Sequence, residues 1–162
     1  MKLSSPQDYS IEVSSDGKYR LSSAGSVCTF SKPASTGKLA KLYTIADAGR
    51  LIYVGIAEQS MSSRLSYGFR ANGKGGYHGY KWKGLRHRLS LTVWTATENN
   101  APVTVRVLET VEAEVAFLCR ELSNQWPAYQ HEIHFHQSSS VHRKAAGVIY
   151  AHAIQRRGKP AG

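Results

Sequence analysis

Apolar residues recur at strand-like and helix-like intervals along much of the chain. Residues 41–45 and 51–56 are short apolar runs joined by a turn, which indicates two strands of a hairpin. Ser60 follows directly and can cap a helix that carries Met61, Arg64 and Leu65. The middle of the chain is therefore expected to contain a hairpin followed by a helix.

The second half repeats this order with different lengths. Residues 88–95 and 103–108 alternate apolar and polar positions, which predicts a second hairpin. A helix is predicted over residues 111–125, a strand over 131–136 and a final helix over 141–155. Hairpins and helices in this order predict an α+β fold, with a small mixed or antiparallel sheet flanked by helices.

The beginning of the chain has a pattern of its own. Residues 11–13 and 19–21 flank Asp16-Gly17, a dipeptide that favours a tight turn between strands. A connector rich in Ser, Gly and Pro follows. We interpret residues 1–37 as an added hairpin or arm and residues 38–162 as the main domain, ending in the last helix.

Charge narrows the class of partner. The 162 residues include 21 Lys and Arg against 11 Asp and Glu, a net charge of +10, so the protein attracts polyanions, nucleic acid first among them. A basic protein that merely stays soluble, or one that touches acidic membrane surfaces, is the alternative. No apolar run matches a signal peptide or a membrane span, which favours a cytoplasmic protein whose Cys28 and Cys119 are buried thiols.

Residues 68–84 combine glycine, aromatic and basic residues without a period, in a stretch long enough to be functional. One interpretation is a nucleic-acid surface, with aromatic rings that stack on bases and cations that hold phosphates. The equally weighted alternative is a surface loop whose aromatic rings pack back onto the domain. The candidate contacts, including one cation just beyond the stretch, are Arg70, Lys74, Tyr77, Tyr80, Lys81, Trp82, Lys83 and Arg86.

Glu114 borders the apolar stripe of the 111–125 helix. A carboxylate at the edge of a core needs a cation partner, and a divalent metal such as Mg²⁺ would provide one. An ordinary ion pair, with Arg64 for example, is the favoured alternative on this pattern alone. The stripe itself consists of Val111, Val115, Leu118 and Leu122.

Five segments between residues 41 and 130 follow one another in a specific order and spacing: Leu42-Tyr43, Tyr53-Val54-Gly55, Arg64, residues 114–118 and residues 127–130. In this order and spacing the chain resembles the GIY-YIG nuclease superfamily. Lys41 stands where the first motif of that superfamily usually has glycine, and Gln130 replaces a closing asparagine. The Gly-rich stretch is closer in style to a divergent restriction-endonuclease branch.

The resemblance implies a metal-dependent nuclease. Glu114 would hold one Mg²⁺ or Mn²⁺, and Arg64 would contact the scissile phosphate. Tyr43 would act as general base, which requires nearby cations to lower the pKa of its phenol. Tyr53 would position the water or the phosphate. A proton relay or extra positive charge would come from His78, Lys74 or Lys81, with His78 preferred.

Two further groups of residues have other interpretations. His131, His134 and His136 with Glu132 invite a zinc site, but they lack the spacing of known zinc motifs, so this interpretation is not favoured. The basic pairs at 143–144 and 156–157 are interpreted as solvated charges, with phosphate contact as a secondary possibility.

The sequence therefore predicts a divalent-metal endonuclease that acts on DNA rather than RNA, as a monomer or a homodimer. A catalytically inactive nucleic-acid-binding module of the same fold is the alternative. An accessory protein whose basic face contacts an acidic protein is a third hypothesis.

Overall fold

The computed structural model describes residues 1–156, which form nine strands and three α-helices. The strands are β1 (Lys2–Leu3), β2 (Gln7–Val13), β3 (Tyr19–Ser23), β4 (Ser26–Val27), β5 (Lys41–Asp47), β6 (Arg50–Ala57), β7 (Leu89–Trp94), β8 (Ala96–Glu98) and β9 (Ala101–Pro102). The helices are α1 (Met61–Arg70), α2 (Val105–Ser123) and α3 (Ser140–Gln155). Two short 3-10 turns, Lys74–Gly76 and Lys81–Gly84, lie in the Gly-rich stretch.

Six strands form one sheet in the order β4-β3-β2-β7-β5-β6, and β1, β8 and β9 form a small second sheet. All neighbouring strands are antiparallel. The predicted α+β fold with an antiparallel sheet is confirmed. Strand β6 is an edge strand, so the backbone groups on its outer side need other partners.

The two faces of the large sheet support two apolar clusters. Tyr43, Ile45 and Tyr53 point into one cluster, which also contains residues of α1 and of the Gly-rich stretch. Leu42, Leu51 and Val54 point to the opposite face, where α2 and α3 cover them. Along β5 this division follows from the two-residue alternation of side chains, whereas on β6 the register shift opposite Ile45 and Ala46 lets Leu51 and Tyr53 point to opposite faces.

The N-terminal hairpin forms where its Asp-Gly turn predicts it. β2 pairs with β3, and Gly17 in the turn has a φ of +76°, which glycine adopts without strain. β2 also pairs with β7, so the hairpin extends the same sheet that contains β5 and β6.

Residues 103–108 were predicted as a strand, and this prediction is wrong. Helix α2 begins at Val105 after Thr104, and the actual hairpin is the short β8–β9 pair around Asn99-Asn100. Both asparagines have positive φ, as a tight hairpin turn requires. The alternation in this segment is too short to distinguish a strand from the first turn of a helix whose apolar stripe continues beyond it.

Residues 131–136 do not form the predicted strand either. The segment has no regular secondary structure and pairs with no strand of the described chain. Ile133 is half-buried against the core, whereas Phe135 is exposed, so the alternation does not produce one apolar face. Side-chain contacts with α2 hold the segment instead.

Two other expectations are corrected or limited by the fold. Arg156 is not a solvated charge: it is half-buried, pairs with Asp8 at 3.2 Å, and donates to the backbone carbonyls of Tyr9 and Leu91. Arg157 lies outside the described residues. Cys119 is buried as expected, while Cys28 is only half-buried; both thiols are free.

The packing of the Gly-rich stretch against α1 can be tested with one substitution. A side chain at Gly68 would place its Cβ 2.2 Å from Cε2 of the buried Tyr80. Since Tyr80 cannot move aside cheaply, Gly68→Ala is expected to lower the free energy of unfolding by about 1–3 kcal/mol, measured by urea denaturation.

Gly147→Ala is the matched control, because Gly147 also lies within a helix but its Cβ would meet no atom within 4 Å. This substitution is expected to be neutral or to stabilise by about 0.5–1 kcal/mol through helix propensity. Equal effects of the two substitutions would contradict the close contact at Gly68.

Candidate functional site

A cavity of about 680 Å³ opens beside the edge strand β6. Its walls come from β6, the first half of α1, the Gly-rich stretch, the start of α2 and the extended segment after Tyr129. We name it the Glu112 cavity. Side chains with possible chemical roles on its walls are Tyr53, Arg64, His78, Lys81, Glu112 and Gln130.

Strand register brings the two motif tyrosines together. Tyr43 pairs with Gly55 and Ile45 pairs with Tyr53, so both phenol rings lie on one face with their centroids 5.9 Å apart. A Cβ at Gly55 would lie 2.7 Å from Tyr53 Cε1 and 2.9 Å from Tyr43 Cζ. The glycine of the Tyr-Val-Gly segment is therefore required by the close approach of both rings.

Only one of these tyrosines reaches the cavity. Tyr53 lines it, whereas Tyr43 is fully buried and its hydroxyl is hydrogen-bonded to that of Tyr80 at 2.7 Å. Burial, reinforced by Tyr80, raises the pKa of Tyr43 well above its ordinary value, and burial also raises the pKa of Tyr53. The attraction of Arg64 acts on the Tyr43 phenol in the expected direction, but burial outweighs it, so the pKa of the phenol is raised.

Arg64 projects from α1 among aromatic rings. Its Cζ lies 5.4 Å from the centroid of Tyr80, and Nη1 donates to the hydroxyl of Tyr77 at 3.2 Å. Its Nε is buried without a hydrogen-bond partner in the described chain. None of the ion pairs within residues 1–156 includes Arg64, so its charge is available to an anion in the cavity.

Of the carboxyl groups on the cavity wall, Glu58, Glu109, Glu112 and Glu132, only Glu112 is buried, and the sequence-based choice of Glu114 is corrected. Glu114 is half-buried and does not line the cavity, whereas Glu112 does and is only 9% exposed. Two residues correspond to a rotation of about 200° around a helix, so the two side chains point to nearly opposite sides. The helix phase decides between them, because α2 buries Leu108, Val115 and Cys119 but leaves Leu122 exposed.

Glu112 is an ionisable group in an unfavourable position. Burial, together with repulsion from Glu109, raises the pKa of Glu112 to about 8, and attraction from His134 and Arg64 only partly opposes this. No ion pair of residues 1–156 includes Glu112. A buried carboxyl group of this kind marks a candidate functional site.

The segment at residues 127–130, which ends in Gln130, completes the cavity wall beside the edge strand β6. The backbone N–H of Tyr129 donates to the carbonyl of Ile52 at 2.9 Å, and Gln130 Oε1 accepts from the backbone N–H of Val54 at 3.1 Å. Gln130 Nε2 donates to the carbonyl of Glu132. The glutamine that replaces the expected asparagine thus fixes the segment to β6 beside Tyr53. Its side chain supplies a hydrogen bond that an edge strand otherwise lacks.

The buried lysine of the first motif is also satisfied by backbone groups. Lys41 is fully buried, and its Nζ donates to the carbonyls of Leu39 and Gln59 at 2.6 and 3.0 Å. Burial lowers the pKa of its ammonium. Lys41 therefore ties together the two ends of the β5–β6 hairpin, as a local effect on the strand and away from the cavity wall.

The aromatic residues of the Gly-rich stretch divide into core and surface. Tyr80 and Trp82 are buried against Phe69, so the expectation that they stack on bases is wrong. Tyr77 is half-buried, with its ring stacked on Tyr67. At residues 80–82 the stretch therefore matches the alternative interpretation, a loop whose aromatic rings pack back onto the domain. Tyr77, by contrast, stays at the surface.

The basic residues of the stretch fall into two groups, those that bond to backbone carbonyls and those that are exposed at a cavity or groove. Lys83 donates to the carbonyls of Ala71 and His78, and Arg86 donates to those of Ser14 and Lys83, so both close the loop. Lys81 and His78 are exposed at the wall of the Glu112 cavity, as the proton-relay hypothesis requires. Arg70 and Lys74 are exposed around a different groove.

The histidine cluster contacts acidic side chains. His134 Nδ1 lies 3.1 Å from Glu109 Oε1, His136 Nε2 lies 2.7 Å from Glu109 Oε2, and the other nitrogen of His134 contacts Glu132. His131 lies on the cavity wall apart from these pairs. No group of three His, Cys, Asp or Glu side chains within residues 1–156 is arranged to hold a metal ion, so the zinc interpretation gains no support.

Comparisons with protein-family models, with characterised proteins and with solved structures give no significant match to this chain. In the described part of the chain, no helix has the length and apolar character needed to cross a membrane.

Glu112 was missed because the apolar stripe was placed in the wrong register. A signal for it is nevertheless present: Glu112 follows Leu108 by four residues and precedes Ala116 by four, which puts a charged residue inside the stripe that faces the sheet. A polar residue within such a stripe is a better functional indication than one at its edge.

The strained ionisation of Glu112 predicts a pH-dependent effect on stability. Because its pKa is about 8 in the fold and near 4.5 in the unfolded chain, the neutral carboxyl stabilises the protein below pH 4.5. That contribution is lost as pH rises to 8. Glu112→Gln, which cannot ionise, should therefore exceed the wild type in stability by a few kcal/mol at about pH 8.5 and differ little at pH 4.5.

The measurement is thermal unfolding at both pH values in the presence of a metal chelator. Glu114→Gln is the matched control on the same helix and should show no comparable change between the two pH values. A Glu112→Gln advantage that is equal at both pH values would contradict the assignment of a strained carboxylate.

Proposed function

We propose that this protein is a divalent-metal-dependent endonuclease of the GIY-YIG type that hydrolyses phosphodiester bonds in DNA. The observation that carries the proposal is that a buried carboxyl group and an arginine, Glu112 and Arg64, line one cavity with neither in an ion pair. A cavity lined by a carboxyl group and a guanidinium, neither of them in an ion pair, suits a cation and a phosphate bound together.

The donor set fits Mg²⁺ or Mn²⁺. Hard cations of this kind take one or two protein carboxylates and complete their shell with waters and phosphate oxygens. Glu112 supplies one carboxyl group on the cavity wall, and because burial raises its pKa, a bound cation would favour its charged form. When bound, the metal would stabilise the negative charge that develops on the phosphate oxygens.

The remaining roles in the proposed reaction belong to side chains of the protein itself. Arg64, fixed by Tyr77 and by the ring of Tyr80, would orient the scissile phosphate through its planar guanidinium. Tyr53 would donate a hydrogen bond from the cavity wall, and Tyr43 would act behind it as a positioning residue. The raised pKa of both phenols argues against either as the proton acceptor in this arrangement.

His78 is the better candidate for the group that accepts a proton from the attacking water. It is exposed at the cavity wall on the Gly-rich stretch, and an imidazole can take a proton from an attacking water near neutral pH. Lys81, on the same wall, adds positive charge near the phosphate.

One observation favours an inactive DNA-binding module as the second candidate. Tyr43, the general base that the family resemblance implies, is fully buried with its hydroxyl bonded to Tyr80. If His78 does not replace it, the protein would bind DNA through its basic surface without cutting. Binding would then be salt-sensitive and independent of metal.

The test is incubation of supercoiled plasmid with the purified protein, with and without Mg²⁺ or Mn²⁺. The wild type should nick or linearise the plasmid only with metal. Arg64→Ala and Glu112→Gln should each reduce the rate by about 100-fold or more, because each removes charge stabilisation at the reacting phosphate.

Glu114→Gln is the matched control, since it removes a carboxylate from the same helix but outside the cavity. It should retain at least half of the wild-type rate. Salt-sensitive DNA binding without cleavage in either metal would support the inactive module. Full cleavage by Glu112→Gln would refute the assignment of the site.

A further inference from the structure

A second groove, of about 450 Å³, shares Tyr77 with the Glu112 cavity. It is lined by α1 from Ser63 to Arg70 and by the residues that follow the helix, as far as Tyr77. We name it the Tyr67 groove. Its polar and aromatic lining consists of Ser63, Tyr67, Arg70, Asn72, Lys74 and Tyr77.

Two stacked tyrosines form one wall of this groove. The rings of Tyr67 and Tyr77 lie 5.0 Å apart with an angle of 14° between their planes. Tyr77 is half-buried, but Tyr67 is 58% exposed, so much of its ring is open to solvent. Stacked and partly open, it offers a flat surface for another planar ring.

The charge of the groove favours an anion beside that ring. Arg70 and Lys74 are exposed at the groove, and no carboxylate is among its lining residues. Within the described chain, neither cation is in an ion pair. Arg70 Nε donates to the carbonyl of Ser66, which holds the side chain close to the last turn of α1.

Tyr77 connects this groove to the proposed reaction site. Its ring lines both the groove and the Glu112 cavity, and its hydroxyl accepts a hydrogen bond from Nη1 of Arg64 at 3.2 Å. A nucleotide stacked on Tyr67 would therefore lie one tyrosine away from the arginine proposed to hold the scissile phosphate.

We propose that the Tyr67 groove binds an unpaired nucleobase of the cleaved strand, close to the scissile phosphate, with Arg70 and Lys74 on its flanking phosphates. The inference depends on the proposed nuclease function and narrows its substrate to DNA with an unpaired nucleotide near the cut. Within a duplex both faces of a base are covered by its neighbours, so a base must leave the stack to lie on Tyr67.

The binding experiment uses the full chain with Glu112→Gln, so that the DNA stays intact. One probe is a fully paired duplex, and the other is the same duplex with a single unpaired 2-aminopurine. The unpaired probe should bind about tenfold more tightly, and its fluorescence should be quenched as the base stacks.

Adding Tyr67→Ala should remove the quenching and reduce affinity for the unpaired probe by about tenfold, while affinity for the paired duplex changes less than about twofold. Tyr67→Phe keeps the ring and should retain both properties. Phe117→Ala, which removes an exposed aromatic ring on α2, is the matched control and should have no effect on either probe.

The outcomes separate the two proposals. Wild-type cleavage of paired duplex, with equal affinity for both probes and no quenching, would overturn the groove assignment and leave the nuclease function standing. Tyr67-dependent quenching without metal-dependent cleavage would support the groove and refute the nuclease. Absence of binding to both probes would refute both proposals.

Discussion

The close contact between Tyr80 and Gly68 positions most of the candidate site. Because position 68 has no side chain, the Gly-rich stretch can pack its Tyr80 and Trp82 into the core against α1. That packing places the Tyr80 ring beneath the guanidinium of Arg64. It also brings the Tyr80 hydroxyl into a hydrogen bond with the Tyr43 hydroxyl. A stretch with little regular secondary structure thereby forms a wall of the Glu112 cavity, and the residues between its anchors, including His78, line that cavity.

The ionisable groups at the cavity lower the stability of the fold but suit the binding of charged ligands. Glu112 is buried and belongs to no ion pair of residues 1–156, while its neighbour Glu109 contacts the rings of His134 and His136. If Glu112 served only the fold, a neutral residue of the same size would serve better, since isolated buried charges are costly. Retaining the carboxyl beside an arginine whose Nε is unsatisfied suggests a site that becomes stable when its ligands bind.

Local patterns predicted the elements whose apolar residues are many and regular, and failed where two periods overlap. The β5–β6 hairpin, α1 and α3 have long or well-capped patterns, so their positions could be predicted closely. The 103–108 segment satisfies both periods over its short length. The same ambiguity shifted the phase of α2 and selected Glu114 over Glu112.

Burial of Tyr43, Tyr80 and Trp82 depends on tertiary packing, which residue type alone does not encode, because aromatic residues that stack on ligands and those that fill cores have the same composition.

The division of aromatic residues between core and surface suggests how one short stretch can both build and use a site. Tyr80 and Trp82 are held because glycines at 68 and 79 let backbone and ring approach closely; Gly79 has a φ of +71°, and a Cβ there would lie 1.9 Å from the carbonyl oxygen of Gly68. Tyr77 precedes this anchor by three residues and cannot reach the core, so it stacks on Tyr67 and accepts a hydrogen bond from Arg64. A ligand that displaces or extends the tyrosine stack must therefore act on Arg64 as well. Through this contact, binding of a base in the Tyr67 groove would change how the phosphate is held in the Glu112 cavity, which couples the choice of substrate to the proposed chemistry.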